Sequence, residues 1–160
     1  MTDYKKIPPR DDAPFYWITP VGSSGSQTSD QIVKALVSEA KIYAFSNWAV
    51  VRAHLKPQDQ MCFYASQKGV VAHATIATSP EHKLDPRVPH PERYPWLFHL
   101  KNPVLYLNHP VVIDDALRAR LDAFRGRDLS KGGAWLIQTT RQISKHDFDI
   151  LTQNQIHALI

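Results

Sequence analysis

Apolar and polar positions alternate along this chain with two different periods. Phe15 to Thr19 is dense in aromatic and β-branched residues and predicts a strand that Pro20 ends. Gly22 to Ser26 is small and polar, a loop signal. Thr28 stands three residues before Gln31, the spacing of a capping box. Behind it Ile32, Val33, Leu36, Val37 and Ala40 recur within an arc of roughly 140°, predicting a helix with one face on a core.

From Ile42 to Leu55 the aromatics Tyr43, Phe45 and Trp48 follow no clean period. Lys56 to Asp59 reads as a turn into a strand at Gln60 to Ala65, with Met61 and Phe63 on one face. Ser66 to Gly69 is a hairpin loop, and Val70 to Ser79 returns with Val70, Ala72, Ala74 and Ile76 on one side. Pro80 to Pro95 holds five prolines and predicts an extended surface loop, which at this length is often functional. Trp96 to Leu107 predicts a strand interrupted near Pro103. Asp114 to Phe124 is helical with Leu117, Leu121 and Phe124 inward, and Ala134 to Thr139 is a last strand. Ser144, three before Asp147, caps a closing helix that carries Phe148 and Leu151. This order does not suit a doubly wound parallel sheet. It predicts an α+β fold, a small, mostly antiparallel β-barrel decorated by helices.

Length bounds the organisation. The 160 residues make one domain, expected over 15–160, and residues 1–14, polar and proline-rich, are expected to be a flexible arm. Apolar residues are 43% and charged residues 21%, as in ordinary globular chains. No apolar run approaches the ~20 residues that cross a bilayer. With no signal-like stretch and one cysteine, Cys62, the expected compartment is the cytoplasm, with no membrane partner. The net charge of +4 is mild and evenly spread, so a polyanion is permitted and not demanded.

Most chemistries lack their residues. The eight histidines form no pair at metal-ligating spacing, and no metal or cofactor is expected. No nucleophile elbow or phosphate-binding glycine loop occurs. Cys62 lies in an apolar strand and reads as a packed thiol. The acidic pairs Asp11-Asp12 and Asp114-Asp115 read as solvated or capping groups. That leaves the aromatics outside regular elements. Such rings close a core or offer platforms on which a base stacks.

Several blocks together resemble the EVE domain, a member of the PUA-like superfamily related to YTH and ASCH domains. They are Tyr16-Trp17-Ile18, Ser46-Asn47-Trp48, Leu55 to Asp59 leading into Met61 to Tyr64, Gly69 to Ala72 leading to Thr78-Ser79-Pro80, Tyr94-Pro95-Trp96, and Arg141 to Ser144 followed by Asp147-Phe148. Gln58 stands where the family more usually has glycine. The resemblance spans about residues 15 to 152 and implies a PUA-like pseudo-barrel with a pocket for a flipped, often modified, nucleobase. It implies that Phe45 and Trp48 form one wall and Tyr94 and Trp96 the other, with Ser46, Asn47 and Thr19 bonding the base. One methyl buried there is worth about 1 kcal/mol. Aromatic walls would add more for a polarised or cationic base. Arg52, Arg93, Arg125, Arg127 and Lys131, with Arg118 and Arg120, would touch phosphates without reading sequence; the alternative for the cluster from Arg118 to Lys131 is a solvated face balanced by Asp122 and Asp128.

The expectation is therefore a monomeric module that captures a modified base from DNA or RNA, more a binder than an enzyme. The rival reading, an ASCH-like hydrolase acting on RNA or a small amide, would need His73 or Glu92 as acid–base group near Lys68 or Arg93. A third reading has the loop 80–95 dock a partner protein.

Overall fold

Thr28 opens the first helix through the capping box its spacing implies: its hydroxyl accepts from Gln31 N at 3.2 Å, and the Gln31 side chain accepts from Thr28 N at 2.9 Å. The computed structural model describes residues 13–127 and 134–158. In chain order it runs β1 (Tyr16–Val21), α1 (Ser29–Val33), a π-helical stretch Lys34–Ala40, β2 (Ile42–Phe45), a 3-10 turn Val50–Ala53, β3 (Gln60–Ala65) and β4 (Gly69–Ile76). Then come β5 (Glu81–His82), β6 (Trp96–Leu105), α2 (Asp115–Arg118), 3-10 turns at Asp122–Phe124 and Ala134–Ile137, β7 (Arg141–Ile143) and α3 (Lys145–Ala158). The expected N-terminal arm falls almost wholly outside the described residues.

Among the described residues seven strands form one sheet in the order β2-β6-β4-β3-β1-β7, with β5 also on β6. The fold is α+β, and the sheet curls into a half-barrel. It is mixed and mostly antiparallel, as the sequence predicted: among the described residues five of the six strand pairings are antiparallel. β1 and β3 run parallel, from Tyr16 opposite Gln60 to Val21 opposite Ala65. The connection between them contains α1 and β2, and a crossover of that size is what parallel pairing requires.

Central strands are covered on both faces, so their sequences are apolar almost without break. Trp17, Met61 and Phe63 join one core under α1 with Ile32, Val33, Leu36 and Val37. Ile18 and Cys62 join a second, with Leu117, Leu121, Phe124, Phe148 and Leu151. Val70 belongs to the second core and not with Ala72, Ala74 and Ile76, contrary to the alternation in the sequence. Phe63 faces Ala72 while Tyr64 faces Val70, so Val71 is an extra residue that reverses the pleat. Gly69 at the hairpin end has φ of 141°, and a Cβ there would lie 2.3 Å from Val111 O.

β6 serves two partners. Trp96 to His99 pairs with β2, and Leu100 to Leu105 pairs with β4. The register slips between His73 and Thr75, opposite Asn102 (φ 53°) and Pro103, the interruption the proline foretold. The loop 80–95 is less superficial than its composition suggested. Val88 is buried in the first core, and Asp85 is buried where it holds Arg87 at 2.7 Å. Ala134 to Thr139 is no strand: it begins as the 3-10 turn, and the edge strand is β7, paired with Tyr16 to Ile18. A four-residue apolar run suits a buried turn as well as a strand.

The opening of β1 is fixed by a carboxylate. Asp59, fully buried, accepts from Phe15 N and Trp17 Nε1, each at 3.0 Å, and from Lys56 N at 3.1 Å. No helix among the described residues is long and apolar enough to cross a membrane.

Candidate functional site

β2 leaves the sheet at Phe45, and the chain turns sharply. Ser46 Oγ accepts from Trp48 N and Ser46 O from Ala49 N, both at 3.3 Å. This turn carries Trp48 away from the core, with 90% of its surface exposed. The turn is tied down from behind. Trp96 Nε1 donates to Asn47 Oδ1 at 2.7 Å, the Arg52 guanidinium lies 4.1 Å from the centre of the Trp96 ring, and His82 meets that ring edge-on at 5.2 Å.

In front of the turn lies a cleft of about 1190 Å³, bounded by the end of β1, β2, residues 88–94 and residues 135–142. Tyr43 and Phe45 belong to its inner wall. Phe45 is buried against Phe98 at 4.9 Å, and the Tyr43 hydroxyl donates to Pro20 O at 3.2 Å. Burial holds the Tyr43 phenol protonated far above its ordinary range. Thr19 and Thr140 share a 2.7 Å hydroxyl bond at the same wall. Trp48 and the exposed Tyr94 line the outer part.

The lining is positively charged. Arg93, Arg127 and Arg141 line it with His90, and no Asp, Glu or Lys does so among the described residues. The Arg127 guanidinium lies 3.9 Å from the centre of the Trp135 ring and that of Arg141 5.1 Å, with Arg141 Nε donating to Trp135 O at 2.8 Å. Burial lowers the Arg141 pKa, yet a guanidinium keeps its charge at any ordinary pH.

Five of the residues expected at a base pocket line this cleft: Thr19, Phe45, Ser46, Trp48 and Tyr94. Asn47 and Trp96 do not; they bond to each other behind the turn. Of the expected phosphate contacts, Arg93 and Arg127 reach the cleft. Arg52 is committed to the Trp96 ring, and Arg125 to Asp122 at 2.7 Å. Arg118 pairs with Asp115 and donates to Ile113 O. Lys131 lies outside the described residues. Trp135, Arg141 and Thr140 line the cleft and were not foreseen. Reading Ala134 to Thr139 as a strand concealed Trp135, while Arg141 stood in a recognised block without a role.

The acid–base residues of the hydrolase reading lie elsewhere. His73 faces the second core, its Nδ1 3.0 Å from the Tyr106 hydroxyl and its ring 5.9 Å from Phe148, and burial lowers its pKa. Glu92 is exposed, 3.9 Å from His90, and Lys68 pairs with Asp30. The Cys62 thiol is fully buried and its pKa is raised by that burial.

Asp122, His146 and Asp147 gather within 4.8 Å. Their atoms are engaged by the protein: Asp147 accepts from the backbone of Asp122 (2.6 Å) and Ala123 (2.9 Å), and Asp122 accepts from Arg125 and Ser144. His146 Nε2 lies 3.0 Å from Arg120 O. The cluster fastens the 3-10 turn at Asp122–Phe124 to the start of α3.

No family model matches the chain, and no curated protein does. Among solved structures the chain is similar to Rpa0253 from Rhodopseudomonas palustris, determined by NMR. The identity is 20%, the match covers 87% of this chain and 91% of that one, and the TM-score is 0.46. The reading of the cleft rests on its own residues.

Proposed function

We propose that this chain is a PUA-like domain of the EVE type and that its cleft captures one nucleobase, in a modified form by preference, from a DNA or RNA strand. The observation that carries the reading is the pairing of a nine-tenths-exposed indole, Trp48, with three guanidiniums in one cleft. A large ring left in water gains stability by stacking, and stacking on an aromatic is worth about 1–3 kcal/mol per base. Arg93, Arg127 and Arg141 supply phosphate contacts that position a strand without reading it. A base reaches such a cleft only when unstacked, so a single strand or a flipped nucleotide is the form bound.

The test is a fluorescence-anisotropy titration with single-stranded oligonucleotides, methylated and unmodified at one central base. Three phosphate contacts predict that log K falls against log salt with a slope of about −2. One buried methyl predicts about fivefold tighter binding of the methylated strand. Absence of binding at low salt refutes base capture, and equal affinity for both strands refutes the preference for modification.

A further inference from the structure

We infer that the cleft holds two consecutive bases of the strand, the second stacked on the guanidinium of Arg127. This rests on the base-capture reading and adds a subsite to it. The cleft volume of about 1190 Å³ exceeds the roughly 300–1,000 Å³ of a pocket that encloses one drug-sized ligand, and a base is smaller than such a ligand. Trp48, on the turn after β2, serves one base. A second ring stands on the wall formed by residues 135–142. The Trp135 ring is half-buried and packs on Phe124 at 5.1 Å, and the Arg127 guanidinium covers it at 3.9 Å from the ring centre.

That cover does not remove the wall from base binding. A guanidinium is planar and delocalised, so it stacks on an aromatic ring with one face and keeps the other. Bases stack on arginine planes as they do on aromatic rings. Arg127 Nε donates to Ala123 O at 3.2 Å, which orients the plane, and Arg127 is exposed and lines the cleft. Trp135 and Arg127 thus form a two-layer platform with a cationic outer layer. Ordering a long side chain costs binding energy, and here the fold has ordered it before the ligand arrives. The remaining N–H groups lie in the guanidinium plane, so stacking on its face is compatible with a phosphate contact at its edge. An Arg127 that only shielded Trp135 would not distinguish one base from two.

Eight-residue strands that are abasic except at the centre test this, because all carry the same phosphates. They hold two adjacent thymines, one thymine or none. Thymine serves because sequence-tolerant stacking platforms accept it and neighbouring thymines stack on each other weakly. Each strand is titrated against the full chain by fluorescence anisotropy at low salt. The two-thymine strand is expected to bind about tenfold tighter than the one-thymine strand, as one more stacked base requires. A single platform would give no more than about twofold, from the choice between two bases. In Arg127→Lys, which keeps the charge and loses the plane, the gap is expected to fall to about twofold. A gap of about twofold or less in the unaltered chain, or an undiminished gap in Arg127→Lys, overturns the Arg127 platform, while tighter binding of one thymine than of none leaves base capture standing. A one-thymine strand that binds no tighter than the fully abasic strand, or failure of all three to bind, overturns base capture and this subsite with it.

Discussion

Trp96 Nε1 donates a 2.7 Å hydrogen bond to Asn47 Oδ1, and this bond joins the first residue of β6 to the turn that presents Trp48. Neither partner lines the cleft, so their contribution is to hold the turn in place. Asn47→Ala is predicted to weaken oligonucleotide binding about fivefold, since a net hydrogen bond is worth about 1 kcal/mol and the turn must then be ordered on binding. Asn47 is exposed and makes this one bond among the described residues, so stability should fall by no more than about 1 kcal/mol. Anisotropy titration and urea unfolding of the same variant separate the two effects.

Asp59 is the opposite case, a buried polar group that the fold requires. Asp59→Ala removes the acceptor for Phe15 N, Trp17 Nε1 and Lys56 N. Buried donors left unpaired cost about 1–3 kcal/mol each, so a loss of about 3 kcal/mol or more is predicted. Urea denaturation with intrinsic fluorescence measures it, and Asp59→Asn, which keeps one acceptor oxygen, should lose less.

Gln58 has φ of 78°, a left-handed conformation that suits glycine. Its neighbour's role explains the strain: the turn must deliver Asp59 beneath β1. Gln58→Gly is predicted to raise stability by up to about 1 kcal/mol, read as a higher urea midpoint with an unchanged slope.

Acid should loosen the loop before it unfolds the sheet. The Arg87 side chain bonds both carboxylate oxygens of Asp85 and, with the Arg87 backbone N–H, holds the Asp85 pKa down to about 2 from an ordinary 3.8. A depressed carboxyl stabilises the fold above its unfolded pKa, and that contribution fades as pH falls from 3.8 through about 2. Amide resonances of Arg87 and Val88 are predicted to shift between pH 4 and pH 2, and Asp85→Asn should show the loosened loop already at pH 7.

How much was legible follows from what each signal measures. The capping box at Thr28, the strand Gln60 to Ala65 and the buried triplet Leu117, Leu121 and Phe124 were readable because local spacing decides them. The parallel pairing of β1 with β3 was not, since it depends on where the crossover packs. β2 was invisible because four residues are too few to show a period. At the site, Trp48 and Tyr94 stood out as aromatics in loops, whereas the retreat of Trp96 behind Asn47 is a long-range contact across 49 residues. Trp135 was missed because a short apolar run was assigned the wrong period, and Arg141 because nothing local in its block marked a role for it.

The most direct measurement is a ¹H–¹⁵N correlation spectrum of the labelled protein, titrated with a short single-stranded oligonucleotide. Capture of a base in the cleft predicts that the indole Nε1–H signals of Trp48 and Trp135 and the amides of Ser46, Arg93 and Tyr94 shift together. The fully buried Trp17 indole should stay still. Shifts confined to α2 and α3, or a Trp48 signal unmoved at saturation, would contradict it.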